Sequence, residues 1–348
     1  MQPVLYAILA DIHSNFQALK AVEADAVSVR RALDAQSLHF VVLGDVVDYG
    51  PQPNECMEWV EQHAEITIQG NHDMEVMDSA YKSPRTISSD YWPITIWTRA
   101  VLGREHKSRM REWLPGLCRE NGQLPPELDK FMLFHGSLTH GHYGTVTNSQ
   151  DAWDNFQHLK DGIMYGLFGH THIQGYFVND ILWQKNTTWY LVCSENTRPQ
   201  QRNGKNQWKP FELEAAPESS AASWTPWADL PADPAMFNPG AVGQPRSGPA
   251  RGAAPHDNRA AYMLLKSNGH TQFQFRRTPY NVEETIRHLR EDVYWPLPTH
   301  QNERGSDILK EEGATTEMLA LMGDFPDVVR AMETKLPALV EKLVRQLR

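Results

Sequence analysis

Gly70-Asn71-His72-Asp73 sets a neutral amide, an imidazole and a carboxylate side by side behind a glycine. It is one of five such words. Asp11-Ile12-His13 and Gly44-Asp45-Val46-Val47-Asp48 precede it, and His135-Gly136 and Gly169-His170-Thr171-His172 follow. Any one of them could be a turn or a helix cap. At ordinary amino-acid usage, however, a given four-residue string recurs by chance on the order of once per 10⁵ positions. Finding all of them in one chain points to a shared purpose. Asp, Asn and His together supply the mixed oxygen and nitrogen donors that suit divalent ions such as Mn, Fe, Zn or Co. The set is more than one ion needs, so two ions are expected.

The elements that must position these residues are legible around them. Val4 to Ala10 is an apolar run of strand length that ends at Asp11. Ser14 or Asn15 can cap a helix carrying Phe16, Leu19, Val22, Ala26, Val29 and Leu33 on one face. His39 to Leu43 is a second strand ending at Gly44-Asp45, a helix is expected from about Asn54 to His63, and Ile66 to Ile68 leads to Gly70-Asn71. This βαβαβ order predicts a largely parallel sheet with helices on its faces. In such sheets ligands collect at the carboxyl ends of the strands. Glycines 44, 70, 136 and 169 would let the backbone turn sharply there. Phe131 to Phe134 and Ile163 to Phe168 are expected strands ending at His135 and Gly169-His170. Ile173 to Val178 and Trp189 to Cys193 read as strands of a second sheet, and Tyr262 to Leu265 and Phe273 to Phe275 as later strands. Helices are expected over roughly Ser88 to Leu114 and Val282 to Val293. From Glu195 to about Arg259, Pro, Gly, Ala, Ser and Asn dominate and predict mostly loop. Trp208, Trp224 and Trp227 within it are expected to dock on the domain. The stretch from Pro326 to Leu347 is amphipathic, with Pro337 kinking or splitting its helix.

Composition narrows the class. The chain has 348 residues, 41% hydrophobic and 22% charged, enough for one large domain or two modest ones. A net charge of -10 argues against a strong, sequence-independent grip on nucleic acid, but not against phosphate chemistry at bound cations. Three scattered cysteines, Cys56, Cys118 and Cys193, suggest neither a disulfide framework nor a zinc ribbon. The amino terminus lacks the pattern of a signal peptide, and no stretch has the length of a membrane span. A cytoplasmic protein without membrane partners is expected.

The five words together resemble those of the calcineurin-like metallophosphoesterase superfamily. Within it, the chain is similar to a bacterial branch with two further stretches. One is Gly-Asp-x-x-Asp-Tyr-Gly-Pro, here Gly44 to Pro51. The other is Asn-Pro-Gly-Ser-Val-Gly-Gln-Pro-Arg, here Asn238 to Arg246 with Ala241 in place of Ser. The resemblance implies an α/β fold, a four-layer α-β-β-α sandwich of two mixed sheets flanked by helices. It also implies hydrolysis of phosphate mono- or diesters by a hydroxide bridging two divalent ions, with manganese favoured and Fe, Zn, Co or Ni compatible. One ion would be held by Asp11, His13, Asp45 and His172. The other would be held by Asn71, His135, His170 and the same Asp45. His72 becomes the group that protonates the leaving oxygen or steadies the transition state, with Asp48 orienting it unless Asp48 is only a turn residue. The substrate would be a small or nucleotide-like phosphate ester. A member of the fold that binds partners without turnover is the alternative.

Arg246 is the candidate cation for substrate phosphate, or else a surface ion pair. His140, His142 and the pair His256-Asp257 read as loop residues, and the tryptophans as packing. Protein serine/threonine phosphatases with similar metal words carry Arg where this chain has Tyr49 and Glu where it has Asp73, which weakens that reading. The expected division is a metallophosphoesterase domain over 1–295, with an insertion at about 185–236 that could wall the cleft, and a helical extension over 296–348. The extension would cover the core or mediate homo-oligomerisation.

Overall fold

Val4–Leu9 (β1) alternates its side chains as a strand must, and both faces are buried. Tyr6 and Ile8 enter a core between two sheets, whereas Ala7 and Leu9 meet helices on the outer face. The computed structural model describes residues 2–77, 95, 98–99, 101–120, 122, 124–180, 186–193, 208–213, 222–245 and 257–291. Arg246, the ring of Trp208 and the segment 296–348 lie outside them.

Helix α1 (Phe16–Ala32) starts where the Asn15 side chain accepts a hydrogen bond from Ala18 N. Its Ala18, Leu19, Val22 and Ala26 are buried against the outer face of β1. Ser37–Val42 (β2) pairs parallel to β1. Helix α2 (Pro53–His63) has proline at its first position and buries Cys56, Met57, Trp59 and Val60. Ala64–Thr67 (β3) pairs parallel to β2, and the short helix α3 (Asn71–Met77) follows. The expected βαβαβ unit is therefore present, but its sheet is mixed. Ala260–Ser267 (β13) and Thr271–Thr278 (β14) extend it antiparallel on the far side of β1. The two-residue strands Ser223–Trp224 (β10) and Ala228–Asp229 (β11) both pair with β14.

The second sheet is built from Gly116–Leu117 (β4), Phe131–Phe134 (β5), Tyr165–Leu167 (β6), Gly175–Asp180 (β7), Asn186–Cys193 (β8), Trp208–Glu212 (β9) and Ala235–Asn238 (β12), in the order β4-β5-β6-β12-β7-β8-β9. β5, β6 and β12 run parallel. β12 corrects the sequence reading: part of the presumed loop is a fully buried central strand between β6 and β7. Four residues between Pro234 and Pro239 are too few for a periodic signal. Phe131, Leu133, Leu167, Tyr176 and Phe237 meet Ile8, Val41, Met263, Phe273 and Phe275 across the sheets. The outer face of this sheet packs Phe168, Phe177 and Trp189 on Ala152 and Phe156 of helix α5 (Ser149–Phe156). The result is a four-layer α-β-β-α sandwich.

Of the helix expected over 88–114, the described residues 95, 98, 99 and 101 are helical, and α4 (Arg104–Met110) follows after Gly103, with a turn after it. Helix α6 (Val282–Glu291) agrees with its expectation, and its Thr285 hydroxyl donates to the Asn15 cap oxygen. Trp227 packs at the edge of the helix-facing core, and Trp224 lies against the Arg276 guanidinium. Among the described residues, no helix is long and apolar enough to cross a membrane.

Candidate metal centre

The carboxyl ends of β1, β2 and β3 from one sheet and of β5 and β6 from the other reach the same level. Backbone hydrogen bonds lace the turns beyond them. Asp11 N donates to Gly44 O (3.1 Å), His13 N to Asp45 O (2.9 Å) and Gly169 N to His135 O (2.9 Å). The turns are made by the chemical residues themselves. Asp11, His13, Asp45, Asp48, His170 and His172 all have φ between +48° and +77°. Such conformations cost of order 1–3 kcal/mol each and persist where the surroundings impose them. The glycines serve space as much as turning. Gly44 has φ +89°, but at Gly70 the need is close approach, since a Cβ there would stand 2.1 Å from Asp45 Oδ1.

Two clusters result, each with its ligand atoms within 4.8 Å of one another: Asp11 with His13 and His172, and Asp45 with His135 and His170. Asn71 joins the second, its Oδ1 lying 3.1 Å from His135 Nε2 and 2.9 Å from His170 Nδ1. Asp45 stands between them, with Oδ2 at 3.0 Å from His135 Nε2 and 3.8 Å from His13 Nε2. The seven expected ligands are thus gathered in one place.

The donor chemistry tests whether cations fit. His135 Nδ1 donates to the Leu43 carbonyl at 2.7 Å, so in the neutral ring Nε2 carries a lone pair. That lone pair faces Asp45 Oδ2 and Asn71 Oδ1, which are acceptors too. His172 repeats the pattern: Nδ1 donates to Gln244 O at 2.8 Å, and Nε2 faces His13 Nε2 at 3.2 Å and Asp11 Oδ1 at 3.5 Å. Acceptors converging on acceptors in a buried site call for positive charge between them. Titration behaviour agrees. Burial opposes a charged His135, but the Asp45 carboxylate beside it raises the imidazole to about 9. Burial likewise opposes ionisation of Asp45, yet His135, His72 and His13 hold its carboxyl well below the usual range. Divalent ions would satisfy the same demand.

His72 stands apart from both clusters. Its Nδ1 is 2.8 Å from Asp48 Oδ2, which also accepts from the Thr95 hydroxyl at 2.8 Å. Tyr49 N donates to Asp48 Oδ1 at 2.9 Å, and the Tyr49 ring lies 4.4 Å from the His72 ring. Burial disfavours the imidazolium, but Asp45 and Asp48 outweigh it and raise His72 to about 10. Its backbone N donates to Asp45 Oδ1 at 2.9 Å.

Asp73, the last residue of its word, has a part to play that no local pattern signals. The structure buries its carboxylate, which accepts from Gly70 N (3.0 Å), Asp45 N (2.9 Å), Val46 N (3.0 Å) and Val47 N (3.3 Å). It therefore pins the Asp45 turn to the Asn71 turn. Burial and the Asp45 charge raise it to about 6. The Asn238 to Gln244 stretch also acts through its backbone and amide. Asn238 Nδ2 donates to Gly169 O, Gly243 N to Asp11 O, and the Gln244 carbonyl orients His172. Thr95 had no signal in the sequence. Of the residues set aside as loop, His142 is half-buried, and burial together with nearby His135 lowers its pKa.

Residues 5–174, just under half of the chain, match the calcineurin-like phosphoesterase family. An uncharacterized protein of Methanocaldococcus jannaschii is 30% identical over 181 residues, which make up 50% of this chain and 64% of that one. The chain thus spans less than two thirds of that relative. Two solved structures share the fold. One is a metallophosphoesterase from Sphaerobacter thermophilus (24% identity, TM-score 0.58, covering 87% of this chain and 98% of that one). The other is a hypothetical protein from Pyrococcus horikoshii OT3 (14% identity, TM-score 0.55, covering 92% and 98%).

Proposed function

We propose that the chain is a metal-dependent phosphoesterase that hydrolyses phosphate mono- or diesters at a centre of two divalent ions, manganese first among them. The observation that carries this reading is the convergence of imidazole lone pairs on carboxylate and amide oxygens. Asp11, His13 and His172 would hold one ion and Asn71, His135 and His170 the other, with Asp45 shared. Such ions would supply Lewis-acid charge and would lower the pKa of a bound water toward neutral pH.

The chain's own residues do the rest. Leu43 and Gln244 carbonyls fix the tautomers of His135 and His172, which keeps Nε2 available in each. Asp48 takes the Nδ1 proton of His72 as a hydrogen bond, which leaves Nε2 to give its proton to the departing oxygen. Asp48 is itself steadied by Thr95 and by Tyr49 N, so the imidazole has a fixed orientation. Small or nucleotide-like phosphate esters suit this proton donor, because an alkoxide leaves readily only when protonated.

Hydrolysis of p-nitrophenyl phosphate and bis-p-nitrophenyl phosphate with manganese tests the proposal, with Asp45→Asn as control. Turnover is expected for at least one ester, falling by about 10²-fold or more in the variant. No turnover of either ester with any divalent ion would overturn it and favour a binding scaffold. The ratio of the two rates separates diester from monoester preference.

A further inference from the structure

Beside the two metal clusters lies a third group that the mechanism does not use in full. Asp48, His72 and Glu75 bring ligand atoms within 4.8 Å of one another. It differs in kind from the other two. Asp48 is satisfied by donors rather than facing other acceptors, so the group needs no cation. Glu75 then requires its own explanation. It lies on α3, four residues after Asn71 and three after His72, the spacings at which helix side chains meet. Its Oε2 is 3.9 Å from His72 Nδ1, and only 15% of its side chain is exposed. Burial raises its carboxyl pKa, and the neighbouring His72, Asn71 and Tyr143 side chains act against that rise.

We propose that Glu75 is the positioning residue that decides which end of the Asn71 amide faces the metal centre. An amide can turn either its oxygen or its NH₂ toward a site, and only the oxygen can hold a cation. A carboxylate accepts and never donates. With Glu75 behind it, Asn71 must turn its NH₂ to the carboxylate and its Oδ1 to His135 and His170, as observed. This rests on the two-ion reading. It adds that the ion bound through Asn71 depends on a residue that never touches it, whereas the ion bound through Asp11, His13 and His172 does not.

Cobalt titration of the full chain, followed by visible absorption and calorimetry, tests both levels. Wild-type protein should bind two ions per chain. Glu75→Ala should weaken one of the two by about 10–100-fold, the usual effect of removing a group that orients a ligand, and leave the other unchanged. Glu75→Gln, which keeps an oxygen for the Asn71 amide, should recover most of that loss. Melting temperatures of the metal-free proteins should agree. If wild-type protein takes up no cobalt, the two-ion reading fails and the inference with it. If wild-type protein binds two ions and Glu75→Ala binds both as tightly, the inference alone is overturned. Equal loss of both ions with a lowered melting temperature in the metal-free variant would likewise overturn it, by making Glu75 a structural residue.

Discussion

At the scale of the residue, the site divides labour within single words of sequence. In the proposed reading Asn71 offers an oxygen and His72 a proton, while the Asp73 carboxylate clamps the turn that carries Asp45. These roles predict different failures. His72→Ala should reduce turnover by about 10²–10⁴-fold, the range expected of a general acid, with both metals still bound by elemental analysis. Loss of metal in that variant would refute the separation of proton transfer from ligation. Asp73→Asn should act through stability instead. Asn would turn either an NH₂ toward backbone donors or a weaker acceptor than a carboxylate. Chemical denaturation should show a loss of about 2–3 kcal/mol, on the order of one charge-assisted hydrogen bond plus an unsatisfied donor. Gly70→Ala is the steric counterpart: its new methyl would collide with Asp45 Oδ1, so the Asp45 and Asn71 turns could not approach.

At the scale of the element, what could be read in the sequence depended on whether a local pattern set the structure. β1 and β2 were legible as short apolar runs ending at Asp11 and Gly44, and α1 by its helical spacing of apolar residues, with Asn15 announcing its start. The gathered ligands were legible because each follows a strand end. Pairing over long distances was not. Nothing near Ala260 or Thr271 says that β13 and β14 would join β1 antiparallel and turn a parallel unit into a mixed sheet. β12 was hidden for a related reason: its four residues are defined by β6 and β7 on either side rather than by their own pattern. The roles of Thr95 and Asp73 likewise exist only once the chain has folded. The importance of β12 is testable. Phe237 is fully buried and packs its ring 5.0 Å from Phe273 and 5.4 Å from Tyr176, in the core between the sheets. Phe237→Ala should cost about 3–5 kcal/mol in urea denaturation. A loss below about 1 kcal/mol would show that β12 is a replaceable filler.

At the scale of the whole molecule, charge and metal both tie stability to solution conditions. Burial opposes ionisation of Asp257, but Arg277 and Arg259 outweigh it and hold the carboxyl well below the usual range. Asp257 Oδ2 lies 2.8 Å from Arg277 Nη1 and 2.7 Å from Arg259 Nη2. Arg277 also reaches Gln174 and the Val192 carbonyl of the second sheet. A depressed folded-state pKa adds stability that is complete above the unfolded value, near pH 4, and is lost as pH falls through the folded value. Urea midpoints should therefore fall below about pH 4 in the wild type and more gently in Asp257→Asn, which starts from a lower value at neutral pH. The residues proposed to hold the ions also come from both sheets: Asp11, His13, Asp45 and Asn71 from one, His135, His170 and His172 from the other. Neither set is complete until His170 and His172 have been synthesised. A growing chain would therefore have no finished site to offer, and the choice of metal would fall to a scaffold whose strands have already paired. Refolding in chelator should then proceed as fast as refolding with manganese, while bound manganese slows unfolding. The ion would act as a late bolt on the assembled protein rather than as a seed for its folding.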